Sequence, residues 1–91
     1  MSYKIIVPQS VEKTLKKWKK SNPQLLKKFQ KIYHELAEHP REGTGHPEPL
    51  RGGGNITYSR RISASHRLVY DIHDDTITVL ILEVEGHYDD K

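Results

Sequence analysis

The chain has 91 residues, of which 34% are hydrophobic and 30% are charged, and its formal net charge is +3. This length indicates a single domain over residues 1–91 and excludes a large multidomain enzyme. The absence of cysteine excludes disulfide scaffolds, thiolate zinc sites and cysteine nucleophiles. The longest run of apolar residues and threonine, residues 77–82, is too short to span a bilayer and the sequence opens on no signal-peptide pattern, so we expect a cytoplasmic protein.

The basic residues are distributed unevenly along the chain. Residues 1–39 contain nine lysines and three glutamates, whereas residues 40–91 contain six basic and nine acidic residues, and five of those six are arginine. Lysine supplies mobile positive charge, while arginine presents a planar pair of donors to phosphate or carboxylate oxygens. The pattern suggests that the lysines attract nucleic acid and that the arginines hold a phosphate. An equal alternative is that the lysines only solvate the helix surfaces.

The lysine-rich part of the chain predicts one short strand and two helices. A strand over residues 3–7 is followed by a helix with Ser10 as its expected N-cap and an end near Ser21. Asn22, followed by a proline at the first helical position, starts a second helix. Because the link between the two helices is short, they form a hairpin. The second helix must end before Pro40, because a residue that precedes proline avoids the helical conformation.

The second part of the chain predicts a long loop and three strands. Residues 40–55 are rich in glycine and proline, and a loop of this length favours a functional role. Residues 56–62 and 66–72 alternate as two strands of a hairpin, and residues 77–84 read as the central, best-buried strand. The order β-α-α-β-β-β predicts an α+β fold in which the sheet packs against the helical hairpin.

We expect one arginine from each strand of the hairpin on the face of the sheet that points away from the helices. Alternate residues of the 66–72 strand supply the apolar face that the helices need, which leaves Arg67 on the open face. Alternation does not fix the parity of the 56–62 strand across the three-residue turn, but Arg61, which shares its face with Thr57 and Ser59, is the expected partner there. Four further polar residues, from the long loop and the C-terminal tail, can reach the same face: Glu48, Arg51, His87 and Tyr88.

This set of side chains fits cleavage of RNA by its own 2′-hydroxyl. Such cleavage needs a base for the hydroxyl proton, cations for the phosphoryl charge and an acid for the leaving 5′-oxygen. Glu48 can act as the base and His87 as the acid. Arg61 and Arg67 can hold the phosphate, and Tyr88 can stack on or orient a base or ribose. The scheme needs no cofactor or metal, and the spacing of the histidines predicts no metal site.

Each of these residues also has a simpler interpretation. Glu48 can be a solvated loop carboxylate, and His87 an ordinary residue of a C-terminal tail. Arg61 and Arg67 can pair with acidic residues of neighbouring strands. We interpret three further features as surface, turn or flexible-loop elements without a functional role: His46, His66 and the glycine triplet 52–54.

Four motifs match a known family in order and spacing: GHPEPL, YSRRI, SHRLVY and a terminal HY. They resemble the YoeB/Txe branch of the RelE-like bacterial toxins over nearly the whole chain. The resemblance implies a RelE-like fold, with a twisted antiparallel sheet against a helical hairpin, and a homodimer. It also implies a toxin of a type II toxin–antitoxin module that enters the ribosomal A site and cleaves mRNA, leaving a 2′,3′-cyclic phosphate. The implied antitoxin is YefM/Axe-like, with an acidic C-terminal segment.

The resemblance assigns roles to the residues that the chemistry selects. By motif, the general base falls on Glu48, the transition-state arginine on Arg67 and the acid on His87. The RNA- or phosphate-contacting positions of the family fall on Arg51, Arg61 and Tyr88. The helix lysines that would contact ribosomal RNA are Lys13, Lys16, Lys17, Lys20, Lys27 and Lys28.

Two other functions stay open. One is a toxin of the same superfamily that acts without RNA cleavage, for example by binding DNA gyrase. The other is a catalytically degenerate module that binds RNA or an antitoxin, which the altered glycine loop and the acidic tail at residues 89–91 favour.

Overall fold

Two helices and five strands make up the part of the chain that this computed structural model describes, residues 2–85. In chain order they are β1 (Lys4–Ile6), α1 (Gln9–Ser21), α2 (Pro23–Glu38), β2 (Glu48–Pro49), β3 (Thr57–Arg61), β4 (Arg67–His73) and β5 (Thr78–Glu85). The expected α+β class is confirmed. Neither of the described helices combines the length and the apolar character needed to cross a membrane.

The strands form one mixed sheet in the order β1-β5-β4-β3-β2. The consecutive strands β3, β4 and β5 pair antiparallel, as expected, and the additional strand β2 also pairs antiparallel with β3, whereas β1 pairs parallel with β5. The sheet is therefore antiparallel except at this one pair. The exception arises because the helical hairpin carries the chain from β1 across the sheet to β2. The antiparallel strands β2 to β5 then lead back across the sheet, and β5 reaches β1 running in the same direction.

The expectation that the strand over residues 77–84 is central and best buried is wrong. β4 takes the middle position, with four of its seven residues buried, and β5 lies between β4 and β1. A register shift between Val69 and Tyr70 inserts Leu82 into β5 as an extra residue. Leu82 is 40% exposed, so a continuous apolar run here does not mean burial on both faces.

The two helix starts differ in how well they follow the sequence signals. α1 begins at Gln9, and the Pro8 carbonyl oxygen accepts the first hydrogen bonds of the helix, so Ser10 lies inside the helix and its expected role as N-cap is wrong. Asn22 caps α2 as expected, with its side-chain oxygen accepting from the Leu25 N–H at 3.4 Å. The turn between the two helices is therefore specified locally, by Asn22 and the proline that follows it.

The core lies between the helical hairpin and one face of the sheet. Its most deeply buried apolar residues come from α2, β4 and β5: Ile32, Leu36, Leu68, Tyr70, Ile72, Val79 and Ile81. Because this face of the sheet is covered by helices, polar side chains of alternate strand residues gather on the other face. That open face carries the candidate site.

Candidate active site

Arg61 and Arg67 lie directly opposite each other where β3 and β4 meet at their hairpin loop. They are register partners, so their side chains share one face of the sheet. That face is the open one, because the adjacent register pair, Arg60 and Leu68, is completely buried on the helix side. The placement agrees with the expectation from side-chain alternation.

Glu48 joins this face through a short strand, in a segment where the sequence predicts only loop. β2 pairs antiparallel with β3, with Glu48 opposite Ser59 and Pro49 opposite Tyr58. Ser59 precedes Arg61 by two residues and therefore shares its face. The strand pairing brings Glu48 to a position diagonal to Arg61 in the sheet.

The three side chains line one pocket of about 440 Å³. Its lining residues are Gly45, His46, Glu48, Ser59, Arg61 and Arg67. Among the described lining residues, two guanidinium groups and one carboxylate give an excess of positive charge. A phosphate can therefore bind between the arginines while a proton acceptor lies beside it.

His46 also lines the pocket, and its expected place as a surface or turn residue without a functional role is therefore incomplete. Its φ of 52° and the φ of 87° at Gly45 turn the chain into β2. His46 precedes Glu48 by two residues in the motif GHPEPL, and its place in the pocket follows from the pairing of β2 with β3, which no local sequence pattern indicates. The pocket thus contains an imidazole among its described residues.

A buried arginine holds the loop that leads to Glu48. Arg60 has no exposed surface, and its guanidinium donates to Glu35 at 2.7 Å and to the Tyr70 hydroxyl at 3.1 Å. It also donates to three backbone carbonyls of the loop, those of His39, Glu42 and Thr44, at 2.6, 2.8 and 3.3 Å. Arg60 has the same parity along the strand as Tyr58 and Ile62, so alternation indicates that the three side chains share the helix side of the sheet.

Glu35 completes this connection between α2 and the loop. Its carboxylate accepts from the Thr44 backbone N–H at 2.8 Å and from the Thr44 hydroxyl at 2.6 Å. Partial burial raises the pKa of Glu35, but the bonds from Thr44 and the Arg60 guanidinium outweigh that effect and hold its pKa below the usual value. The loop is fixed again one residue later, where Gly45 O accepts from the Arg61 N–H at 2.7 Å.

Comparison with known proteins identifies the family. The family model for the YoeB-like toxin of bacterial type II toxin-antitoxin systems matches residues 8–88. The chain belongs to this family. A relative named Toxin YoeB from Escherichia coli is 38% identical over 71 residues, which cover 78% of this chain and 82% of that protein.

Solved structures agree with this assignment. A YoeB/ParE toxin from Agrobacterium tumefaciens superposes with a TM-score of 0.81 and 27% identity, over 93% of this chain and 99% of that one. YoeB of Staphylococcus aureus was solved in complex with YefM (TM-score 0.77, 28% identity) and as a dimer (TM-score 0.79, 27% identity). Each of these two superpositions covers 97% of this chain and 100% of the other. The expected RelE-like fold is confirmed.

The remaining predicted site residues of this YoeB-like toxin lie elsewhere or outside the described residues. Arg51 is exposed in the turn after β2 and does not line the pocket. The lysines expected to contact RNA lie on the two helices, all exposed except the half-buried Lys28. His87 and Tyr88 lie outside residues 2–85. Within that range, no three histidine, aspartate or glutamate side chains are placed to hold a metal ion together.

Proposed function

We propose that this YoeB-like toxin is a ribosome-dependent mRNA endoribonuclease that cleaves mRNA in the ribosomal A site and so inhibits translation. The observation that carries the proposal is the pocket that unites Glu48, Arg61 and Arg67 on the open face of the sheet. A base beside two phosphate-binding cations is the arrangement that attack by a 2′-hydroxyl requires. Membership of the YoeB-like family supports the same chemistry.

In the proposed reaction, the Glu48 carboxylate accepts the proton of the 2′-hydroxyl. The 2′-oxygen attacks the adjacent phosphorus, and the bond from phosphorus to the 5′-oxygen breaks. His87 donates a proton to that leaving oxygen, and Tyr88 positions a base or ribose. The products are a 2′,3′-cyclic phosphate and a 5′-hydroxyl, and no step uses a metal or cofactor.

Arg61 and Arg67 would act most strongly in the transition state. The phosphoryl oxygens gain negative charge as the 2′-oxygen attacks, so two guanidinium groups beside the phosphate would bind the transition state more tightly than the ground state. Removing one such donor typically lowers the rate about 100-fold to 1,000-fold. Arg51, which lies in the turn after β2, would contact the RNA backbone beyond the cleaved phosphate.

The proposed partners follow from charge and from the relatives. The lysine-rich helices would contact ribosomal RNA, because nine of the fifteen basic residues lie within residues 1–39. A YefM-like antitoxin with an acidic C-terminal segment would neutralise the toxin, as the Staphylococcus aureus complex with YefM suggests. The Staphylococcus aureus dimer suggests a homodimer here as well. The toxin would act in the cytoplasm, where it meets translating ribosomes.

Primer extension on a defined mRNA tests the proposal. The purified protein is incubated with that mRNA, with and without bacterial ribosomes, and variants Glu48→Gln, Arg67→Met and His87→Ala are compared with the wild type. Glu42→Gln, an exposed carboxylate of the same loop outside the pocket, and His34→Ala, an exposed histidine of α2, are matched controls. Circular dichroism verifies that each variant is folded.

The proposal predicts cuts within the A-site codon that need ribosomes. These cuts should disappear in Glu48→Gln, Arg67→Met and His87→Ala and should persist in both controls. Full cleavage by folded Glu48→Gln would contradict it. Ribosome binding without any cuts would instead identify a degenerate binding module. Cuts retained in His87→Ala but lost in His46→Ala would transfer the role of the acid to the imidazole that lines the pocket.

A further inference from the structure

A second pocket, of about 540 Å³, lies on the other side of the β3–β4 hairpin from the candidate active site. Ile62 and His66 of the hairpin loop line it, together with Leu25 and lysines of α2. These loop residues are the chain neighbours of Arg61 and Arg67, which line the candidate active site. The end of one hairpin therefore separates two pockets, and consecutive residues contribute to opposite sides.

The second pocket carries unbalanced positive charge. Lys27, Lys28 and Lys31 line it, and none of the described lining residues is acidic. Lys27 and Lys31 are one helical turn apart, where like charges repel each other. Glu35, one turn after Lys31, is already engaged by Arg60 and Thr44. An anionic ligand would relieve this repulsion.

The floor of the pocket is apolar and includes a fixed aromatic ring. Leu25 and Ile62 are 7% and 3% exposed. The His66 ring packs edge-on against Trp18, with 5.5 Å between ring centroids, and its Nδ1 lies 2.8 Å from the Ser63 hydroxyl. A planar ring held in this way offers a stacking surface for a nucleobase.

We propose that this pocket binds one unstacked nucleotide of an RNA strand, with its phosphate on the lysines of α2 and its base against His66 and the apolar floor. The volume falls in the range of pockets for ligands of this size. An acidic peptide would satisfy the lysines but would leave the fixed imidazole and the apolar floor unused. The inference rests on the proposed RNA-directed function and adds a second nucleotide site to it, behind the hairpin that carries the catalytic arginines.

Trp18 allows a direct test, because it is the sole tryptophan of the sequence and its ring contacts His66. The full chain is titrated with a single-stranded RNA hexamer, without ribosomes, while Trp18 fluorescence is recorded. We expect a saturable change. The Lys27→Gln/Lys31→Gln variant should bind at least about tenfold more weakly, because two phosphate contacts are lost. Lys4→Gln/Lys19→Gln removes the same charge at exposed lysines outside the pocket and should change the affinity less than about twofold.

Two further comparisons test the stacking. His66→Ala should weaken binding about fivefold or more, whereas His66→Phe, which keeps a flat ring, should retain it. An abasic hexamer with the same phosphates should bind about as weakly as RNA binds to His66→Ala. Equal binding of the abasic and the complete hexamer would overturn the proposal.

Other outcomes also decide against the nucleotide site. Equal losses in the two lysine variants would mean general electrostatic attraction, and saturation by a hexaglutamate peptide with no response to RNA would mean a protein ligand. The fluorescence readout needs neither ribosomes nor cleavage. Ribosome-dependent cleavage without any Trp18 response would therefore reject this site alone, and a Trp18 response without cleavage would reject the proposed reaction alone.

Discussion

Arg60 and Arg61 follow each other in β3, and their side chains lie on opposite faces of the sheet in opposite environments. Arg60 is fully buried and bonded to Glu35, whereas Arg61 is exposed and lines the candidate active site. Both residues fix the same loop, Arg60 through its side chain and Arg61 through the backbone N–H that donates to Gly45. The path of the chain to Glu48 therefore depends on this dipeptide.

Replacing Arg60 by methionine should lower the stability strongly. The change leaves Glu35 without its cation and removes the donors that satisfy three loop carbonyls. We expect the free energy of unfolding to fall by about 3 kcal/mol or more, measured by urea denaturation. Arg61→Met is the matched control and should change it by about 0.5 kcal/mol or less, because that side chain is exposed. Similar losses of stability in both variants would contradict the different environments assigned to Arg60 and Arg61.

Glu35→Gln should change the pH dependence of stability. Because bonds from Thr44 and Arg60 hold the native pKa of Glu35 below its ordinary value of 4.5, the unfolded state binds protons more readily than the native state in this range. This carboxylate therefore adds stability above its ordinary pKa, and that contribution is lost as the pH falls through the lowered native pKa.

The wild type should exceed Glu35→Gln in free energy of unfolding by about 2 kcal/mol at neutral pH, and the gap should narrow as the pH falls below 4.5. Urea denaturation at a series of pH values measures the gap. Glu42→Gln, at an exposed carboxylate of the same loop, should differ little from the wild type throughout. A gap for Glu35→Gln that does not change with pH would show that its bonds do not depend on ionisation.

The sequence was sufficient where the determining interactions are local. Asn22 is followed by a proline, and this pair alone specifies the start of α2. Alternation also predicts Arg67 on the open face, whereas the register that brings Arg61 opposite it is set by the pairing of β3 with β4.

Features that depend on distant pairing were missed. β2 has two residues, one of them Pro49, and it exists because β3 supplies partners, so no local pattern indicates it. The position of His46 in the pocket follows from that pairing. The shift at Val69 and Tyr70 likewise depends on how β4 meets β5, and it exposes Leu82 within an apolar run. The roles expected of His87 and Tyr88 stay predictions.

The two helix starts give a matched pair of cap mutations. Asn22→Ala removes the side-chain acceptor for the Leu25 N–H, whereas Ser10→Ala removes a hydroxyl inside α1 that caps nothing. We expect Asn22→Ala to lower the free energy of unfolding by about 0.5–1 kcal/mol, because the bond of 3.4 Å is long. Ser10→Ala should be neutral or slightly stabilising, because alanine has the higher helix propensity. A larger loss for Ser10→Ala in thermal denaturation would show that Ser10 does cap the helix.

Gly45→Ala tests the close contact between the loop and β3. Gly45 has a φ of +87°, and an added Cβ would collide with the backbone oxygen of Arg61. Gly52 has a φ of +83° with nothing within 4 Å of an added Cβ, so Gly52→Ala has only the conformational cost of about 1–2 kcal/mol. We expect Gly45→Ala to lower the melting temperature more than Gly52→Ala does.

The same pair separates stability from cleavage. The collision at Gly45 must displace the loop from the Arg61 N–H and move Glu48 away from the two pocket arginines, because the strand pairing of Glu48 begins three residues later. Primer extension well below both melting temperatures should therefore show reduced A-site cleavage for Gly45→Ala and near wild-type cleavage for Gly52→Ala. If Gly45→Ala cleaves as well as Gly52→Ala while it is less stable, the contact holds the fold together but does not position the base.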